Sequence, residues 1–533
     1  MTLAKPNLPE LLRQKAASDP FGLFGTFNGA PITFAVLEAQ ANAMAVELVS
    51  RGLKRDDRVA VMMQNSPEVL AVVFGLAKAG IVWIPINAKQ LGDGLRHILE
   101  HAKPSLVITE EGLADVILQS GFPLTADQFL VRGEGDRFAR LSQVLNTRRL
   151  FAGPFPDPNS AMAIMYTSGT TGRPKGIITS HAMVRIAGEG TSLASAANHE
   201  DILLVWEPLY HIGGAQLLSL PMTRGVKLAF VDRFSASRFW DQARESRATH
   251  IHYLGGILQI LLKQPASDRD RDHSVRVAWG GGCPAEIWNA FQDRFGVEIR
   301  ECYGMTEASS ITTFNDNGVV GSVGKAVPWC TVELVGEDGA AVPQGERGEI
   351  VIRTKESDVF FPGYLDDPEG TANALRQGAL HTGDVGSFDA GGNLFFHGRR
   401  TDSVRCRGEN VSAWEIEHVA AKHPDVEDCA MIGVAAEVGE QEIKLFVRPR
   451  SGSEIHPEQL SEWLSSRLAS YQLPRYIALV VEFERTPSQR IMKHRLSRAV
   501  DNCWDRVSAS SPSDSARRPM NVPGQICAGS QKA

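Results

Sequence analysis

Along residues 32–150 the apolar positions fall into two alternating rhythms. FAVLEAQANAMAVELVSRGL (34–53) repeats apolar residues three and four apart, the spacing of one helix face. RVAVMM (58–63) and SLVIT (105–109) are short β-branched runs of the kind strands favour. The longest apolar stretch, Val69 to Ile86, is interrupted by Lys78, Gly80 and Pro85. It predicts a buried helix to Ala79 that turns into a strand over 81–84, and not a membrane span. Helices alternating with strands predict an α/β domain with largely parallel strands. The pattern continues through VKLAFV (226–231), a helix near Ala285–Phe295, and VEIRECYG (297–304), a strand running into a loop.

From Thr331 the texture changes. TVELV (331–335), GEIVIRT (348–354) and LFFHG (394–398) are short strands between Gly-rich turns, which predicts a small β-rich subdomain. After Arg399 a compact α+β pattern begins: VSAWEIEHVAAKHP (411–424) and PEQLSEWLSSRLA (457–469) as helices, CAMIGVA (429–435) and IKLFVRP (443–449) as strands. The expected organisation is therefore an α/β chain with a large N-terminal domain over 1–400, containing the β-rich subdomain, and an α+β C-terminal domain over 401–507. Thr401–Asp402 marks the boundary. Residues 508–533 are polar, rich in Ser and Pro and without periodicity, which predicts a disordered tail. A chain of 533 residues is long enough for two or more cores.

Composition narrows the function. Lys and Arg number 55 against 62 for Asp and Glu, a net charge of −7, so nothing draws the chain toward nucleic acid or an anionic membrane. Small-molecule chemistry is the expectation. The seven cysteines form no CxxC pair and no His/Cys cluster, which argues against a disulfide framework or a zinc site and for a reducing, cytoplasmic setting. The N-terminus lacks the apolar core and cleavage site of a secretion signal.

The densest chemistry follows the apolar strand AMAIM (161–165). There Tyr166-Thr167-Ser168-Gly169-Thr170-Thr171-Gly172-Arg173-Pro174-Lys175-Gly176 packs hydroxyls and glycine amides into a nest of donors for phosphate oxygens, with the charge of Lys175 beside it. Walker spacing is absent. Downstream stand Pro208-Leu209-Tyr210-His211-Ile212-Gly213-Gly214, Trp279-Gly280-Gly281-Gly282-Cys283-Pro284, Tyr303-Gly304-Met305-Thr306-Glu307, His381-Thr382-Gly383-Asp384 and Gly398-Arg399. Three glycines after a strand let a flat base lie against backbone, and a tyrosine face can stack on it.

In these motifs and their order the chain resembles the adenylate-forming superfamily of acyl-CoA synthetases, luciferases and peptide-synthetase adenylation domains. The resemblance covers roughly residues 8–500. It implies a ligase that makes an acyl-coenzyme A thioester from a carboxylic acid through an acyl-adenylate, using ATP, coenzyme A and Mg²⁺. Thr167 to Thr171 and Lys175 then hold phosphate, Gly280–Gly282, Tyr303 and Gly304 embrace adenine, and Asp384 and Arg399 take the ribose. Thr306 bonds the phosphate and Glu307 binds the metal. His211 gates the acyl pocket, walled by Gly213, Gly214, Tyr253, Gly255 and Gly256. The resemblance also makes the C-terminal domain mobile, hinged at Thr401 and Asp402. Its loop Arg407-Gly408-Glu409 swings in to line the pantetheine passage, with Trp414 and Lys444 near coenzyme A. Uncharged, largely apolar pocket residues point to a bulky, mostly apolar acid, polycyclic acids included. Homodimers are common in the family; the oligomeric state stays open.

One segment departs from the pattern. The family's C-terminal Thr-Pro-Thr-Gly-Lys reads Thr486-Pro487-Ser488-Gln489-Arg490 in this chain. The family lysine reaches the substrate carboxylate and α-phosphate during adenylation, where charge grows in the transition state. Arginine keeps the charge, but its planar fork is a poorer point donor. Lys493 follows at a distance that demands a register shift before it could substitute. The expectation is an enzyme specialised for thioesterification of preformed acyl-AMP, poor at adenylation and supplied by a separate adenylating enzyme. The alternatives are an ordinary two-step ligase, a non-catalytic acyl-adenylate-binding protein, and a luciferase-like or carrier-loading module.

Overall fold

A computed structural model of the chain describes residues 6–167, 174–399, 403–406, 409–436, 441–468, 472–486 and 490–509. Two compact units emerge: Met1–Arg400 together with Arg485–Arg490, and Thr401–Glu484 together with Ile491–Ala533.

Local sequence explains the elements that position the site. The helix Pro67–Ala79 starts where Ser66 accepts a hydrogen bond from the Val69 amide and Pro67 pre-sets the first turn, and stops at Gly80, whose φ is 69°. Every residue from Val69 to Ala79 is buried, so the predicted buried helix is present. Lys78 is buried too, paired with Glu38 at 2.7 Å, and desolvation holds its pKa below the usual lysine value. The strand that follows is Val82–Pro85. Both belong to the first unit's α/β layers.

Two sheets carry this unit. One has nine strands, in the order Lys325–Ala326, Ser310–Phe314, Glu298–Met305, Val277–Gly281, His250–Leu254, Ile202–Val205, Lys227–Phe230, Leu23–Phe27 and Ala30–Thr33. Its six central strands run parallel, with antiparallel neighbours at the edges. The other has seven strands and is parallel except where Ala161–Thr167 pairs with Lys175–Ser180. Between their helices and strands lies one continuous apolar core that includes Phe24, Phe74, Trp83, Met165 and Trp279. A five-stranded antiparallel sheet over Cys330–Arg399 forms the β-rich part.

The second unit has its own core around Val404, Ile416, Met431, Leu445 and Leu460. Val426–Ala435, Gln441–Pro449, Tyr476–Leu479 and Trp504–Asp505 make a four-stranded sheet, and Ser403–Cys406 pairs with Glu409–Ser412 in a hairpin. The helix expected over 411–424 covers only Ala413–Ala420, because Val411 and Ser412 pair in that hairpin.

Candidate active site

Strand ends and the loops after them gather most of the expected residues in the first unit. Ala161–Thr167 ends at the phosphate-loop motif, and Lys175 opens the returning strand. Ser168, Gly169, Thr170 and Thr171 lie outside the described residues, as does the side chain of Thr167. Lys175 is described: its Nζ stands 3.3 Å from Asp367 and 4.8 Å from the centre of the Tyr364 ring.

Glu307 is buried in a short turn after Glu298–Met305 and accepts a hydrogen bond from Tyr364 Oη at 2.9 Å. Burial raises its pKa, and the charge of Asp384 adds to that, while the Tyr364 bond and Arg399 oppose it. Thr306 beside it is also buried. Asp384, 4% exposed, accepts from Tyr303 Oη at 2.7 Å on Oδ2 and faces Arg399 Nε at 3.2 Å on Oδ1. Tyr303, Asp384 and Arg399 thus form one linked polar group, and the charges of Asp384 and Arg399 act on Glu307.

Gly280–Gly282 close the parallel strand Val277–Gly281. Gly280 has φ 152°, and a β-carbon there would overlap the Tyr253 carbonyl oxygen, so the chain passes closer to its neighbour than any other residue allows. Beneath these glycines lies Glu301, a residue the sequence motifs did not single out. Its carboxylate accepts from the Gly282 amide at 2.5 Å, from the Cys283 amide at 3.1 Å, and from Tyr253 Oη. Burial pushes its pKa up to about 7, partly offset by those three donors.

Tyr253 therefore needs correction as a pocket residue. It is fully buried with its hydroxyl on Glu301, because side chains alternate along His250–Leu254 and Tyr253 points to the far face. His252 and Leu254 point the other way, and a β-carbon on Gly213 would meet both, at 3.7 and 3.6 Å. Gly213 and Gly214 lie in the short helix Ile212–Ala215, directly after His211. Gly255 and Gly256 follow the strand, and the Gly255 amide bonds the Gly281 carbonyl at 2.9 Å. The alternation was readable in HIHYL; the carboxylate under the glycines was not, because its three donors come from one other strand and from the loop after a third.

His211 is half-buried, and its Nε2, itself buried, has no hydrogen-bond partner among the described residues. Burial, helped by the charge of Arg490, lowers its pKa to about 4, so the imidazole is neutral at ordinary pH. Arg490 belongs to the segment that joins the first unit, and its amide bonds Thr486 Oγ1 at 3.1 Å while its carbonyl accepts from the Thr486 amide at 2.7 Å.

In the second unit Arg407, Gly408 and the side chain of Glu409 lie outside the described residues, as do Thr401 and Asp402. Trp414 is half-buried and stacks on His418 at 4.6 Å. Lys444 is not a strand-end lysine awaiting a ligand. It sits within Gln441–Pro449, 3% exposed, and donates to the carbonyls of Ser497 and Ala499. Lys493 pairs with Glu417 at 2.8 Å, which commits it inside this unit.

The fold and these motifs define an adenylate-forming enzyme. The chain belongs to the AMP-binding enzymes: residues 13–365 match that family, and 415–490 match the AMP-binding enzyme C-terminal domain. Within it the chain groups with the acyl-CoA synthetases. It is 30% identical over 485 residues to the crotonobetaine/carnitine–CoA ligase of Salmonella paratyphi A (strain ATCC 9150 / SARB42), spanning 87% of this chain and 92% of that one. ATP-bound MatB from Rhodopseudomonas palustris is 27% identical, with 93% and 98% of the chains aligned and a TM-score of 0.82. The Mycobacterium tuberculosis fatty acyl CoA synthetase is also 27% identical, over 92% and 97%, with a TM-score of 0.72. No helix among the described residues is long and apolar enough to cross a membrane.

Proposed function

We propose that the protein joins a carboxylic acid to coenzyme A through an acyl-adenylate, and that its two half-reactions are unequal, thioesterification outpacing adenylation. The observation that carries this reading is Arg490, which replaces the lysine serving only the first step. The other expected adenylate-site residues are retained.

In this reading the Gly280–Gly282 backbone and the Tyr303 ring face receive adenine. The Asp384–Arg399 pair exchanges its mutual contact for bonds to ribose, which suits a buried carboxylate already held by two donors. Glu307 fits a magnesium ion: burial and the nearby Asp384 charge both disfavour its ionised form, and a divalent cation would reverse that balance. Among the described residues no three-ligand cluster surrounds it, consistent with a cation held by one carboxylate and the nucleotide's own phosphates. When bound, the ion supplies charge for the phosphate oxygens. Neutral His211, with Nε2 unpartnered among the described residues, orients the carboxyl end of the acid. The second step needs chiefly positioning of the thiol against the acyl carbonyl.

A second reading, equal half-reactions, is favoured by one observation: the charge of Arg490 acts on His211, so a cation is retained beside the gate. One comparison separates the two. Wild-type protein with ATP, Mg²⁺ and acid should form acyl-AMP on the order of 10²-fold more slowly than it converts preformed acyl-AMP and coenzyme A to thioester. Equal rates would establish the ordinary two-step ligase, and no thioester by either route would favour a binding protein.

A further inference from the structure

The wall beneath Gly213 holds a polar pair that the nucleotide site does not use. Glu207, 1% exposed, directly precedes the Pro208–Gly214 segment, and His252, 3% exposed, lies on the face of His250–Leu254 turned toward Gly213. The two are hydrogen-bonded through Glu207 Oε1 and His252 Nδ1. Their placement is fixed from several sides. Asn65 Nδ2 donates to the Glu207 carbonyl at 2.8 Å, Trp206 Nε1 donates to the His252 carbonyl at 2.9 Å, and the Trp279 ring lies 4.1 Å from the imidazole. Yet among the described residues Glu207 Oε2 and Trp279 Nε1 are buried without a hydrogen-bond partner, and His252 Nε2 makes no hydrogen bond. Buried polar atoms left over in a wall that also holds Leu254 and Gly213 are costly unless something arrives to satisfy them.

We infer that the Glu207–His252 pair reads a hydroxyl group on the acyl substrate, making the preferred acid a hydroxy acid. This rests on the acyl-CoA ligase reading above. The chemistry follows from the bond already made. In the neutral imidazole a carboxylate accepting the Nδ1 proton fixes the tautomer, and Nε2 then presents a lone pair. Nε2 and Oε2 are then both acceptors, and the group that satisfies them is a donor. Gly213 supplies no side chain over the imidazole, which leaves that face open to the acid; its ordinary contact distance to His252 means that a larger residue would fill the space.

The test compares matched acids: cyclohexanecarboxylate, its 4-hydroxy derivatives and 4-oxocyclohexanecarboxylate, with butanoate and 3-hydroxybutanoate as a smaller pair. Thioester formation is followed from acid plus ATP and from the corresponding acyl-AMPs. A site built to bond a hydroxyl rejects the analogue lacking it strongly, so kcat/KM should favour at least one hydroxy acid over its hydrocarbon partner by on the order of 10²-fold or more. His252→Phe should erase that preference while leaving AMP affinity by calorimetry unchanged. Glu207→Gln can donate its amide to Nδ1, which moves the proton to Nε2 and should shift preference toward the oxo acid. Hydrocarbon acids used as well as their hydroxy partners by the wild type, or a preference that survives His252→Phe, would overturn the inference. Absence of any thioester from every acid and adenylate would instead count against the ligase reading itself.

Discussion

Asp384 concentrates the site's electrostatics in one side chain. It is nearly inaccessible, accepts from the Tyr303 phenol and faces the Arg399 guanidinium, so its negative charge is held by two donors before any ligand arrives. In the proposed reading, removing it leaves the ribose without a charged acceptor, and it strands Tyr303 and Arg399. Asp384→Ala is therefore expected to weaken AMP or acyl-AMP binding by roughly 2–4 kcal/mol. Isothermal calorimetry checks this, with Asp384→Asn as the variant that keeps the shape and loses the charge. Near-normal affinity in both would remove Asp384 from nucleotide recognition. The motif singles out the aspartate after His-Thr-Gly. That it is wired to Tyr303 was not legible there, because the two are 81 positions apart and only the fold brings them together.

The strands show most clearly what a linear pattern can carry. The parallel register sets Tyr253 beside Gly280, and Gly280 beside Glu301. Period-two alternation then turns Tyr253 and His252 to opposite faces, which HIHYL states in sequence but only pairing makes decisive. Glu301 ties this row together, accepting from Tyr253 on one strand and from Gly282 and Cys283 just past another. Its pKa is raised from 4.5 to about 7, chiefly by burial. The folded chain thus keeps a proton that the unfolded chain has released between those values. Because the unfolded state binds fewer protons there, stability falls as pH rises through the window, and levels off above it. Urea unfolding of wild type and Glu301→Gln at pH 5 and 7.5 should show a fall specific to the wild type of about 2–3 kcal/mol. Parallel behaviour of the two proteins would show that Glu301 is ionised throughout.

At the scale of the whole chain, the strand–helix alternation made the α/β layers readable, and the change of texture after Thr331 made the β-rich sheet readable. The α+β character of the second unit was equally visible. Lys444 was misread because a lysine in the middle of a strand looks available until the segment carrying Ser497 and Ala499 covers it. The two-unit organisation also frames the chemistry that the resemblance assigns to the loop at Gly408. A side chain in the pantetheine path should block thiol entry and leave nucleotide binding untouched. Gly408→Ile is thus expected to keep AMP affinity while lowering thioester formation from preformed acyl-AMP by on the order of 10²-fold or more, the cost of a misplaced reactant. Undiminished turnover would place the passage elsewhere.

Arg490 carries the prediction with the widest consequence. Its charge acts on His211, and in the proposed reading it stands in for the family lysine with a donor of different shape. A guanidinium spreads its charge over a fork, whereas the adenylation transition state gathers charge on a few oxygens that a compact ammonium meets best. Lys493 offers no substitute, being paired with Glu417. Arg490→Lys should therefore raise the rate of acyl-AMP formation from ATP by about 10²-fold, the scale set by one preorganised donor, and leave thioesterification of supplied acyl-AMP within a factor of about two. Single-turnover assays of each half-reaction read the two effects separately. Glycine has more backbone freedom than any other residue, so restoring it at position 489 is expected to widen the reach of a lysine introduced after it. The double variant Gln489→Gly with Arg490→Lys should therefore exceed the single one. If neither variant accelerates adenylation, the arginine is a working equivalent of the lysine and the chain is an ordinary two-step ligase. If both do, some separate adenylating activity must supply this protein's intermediate.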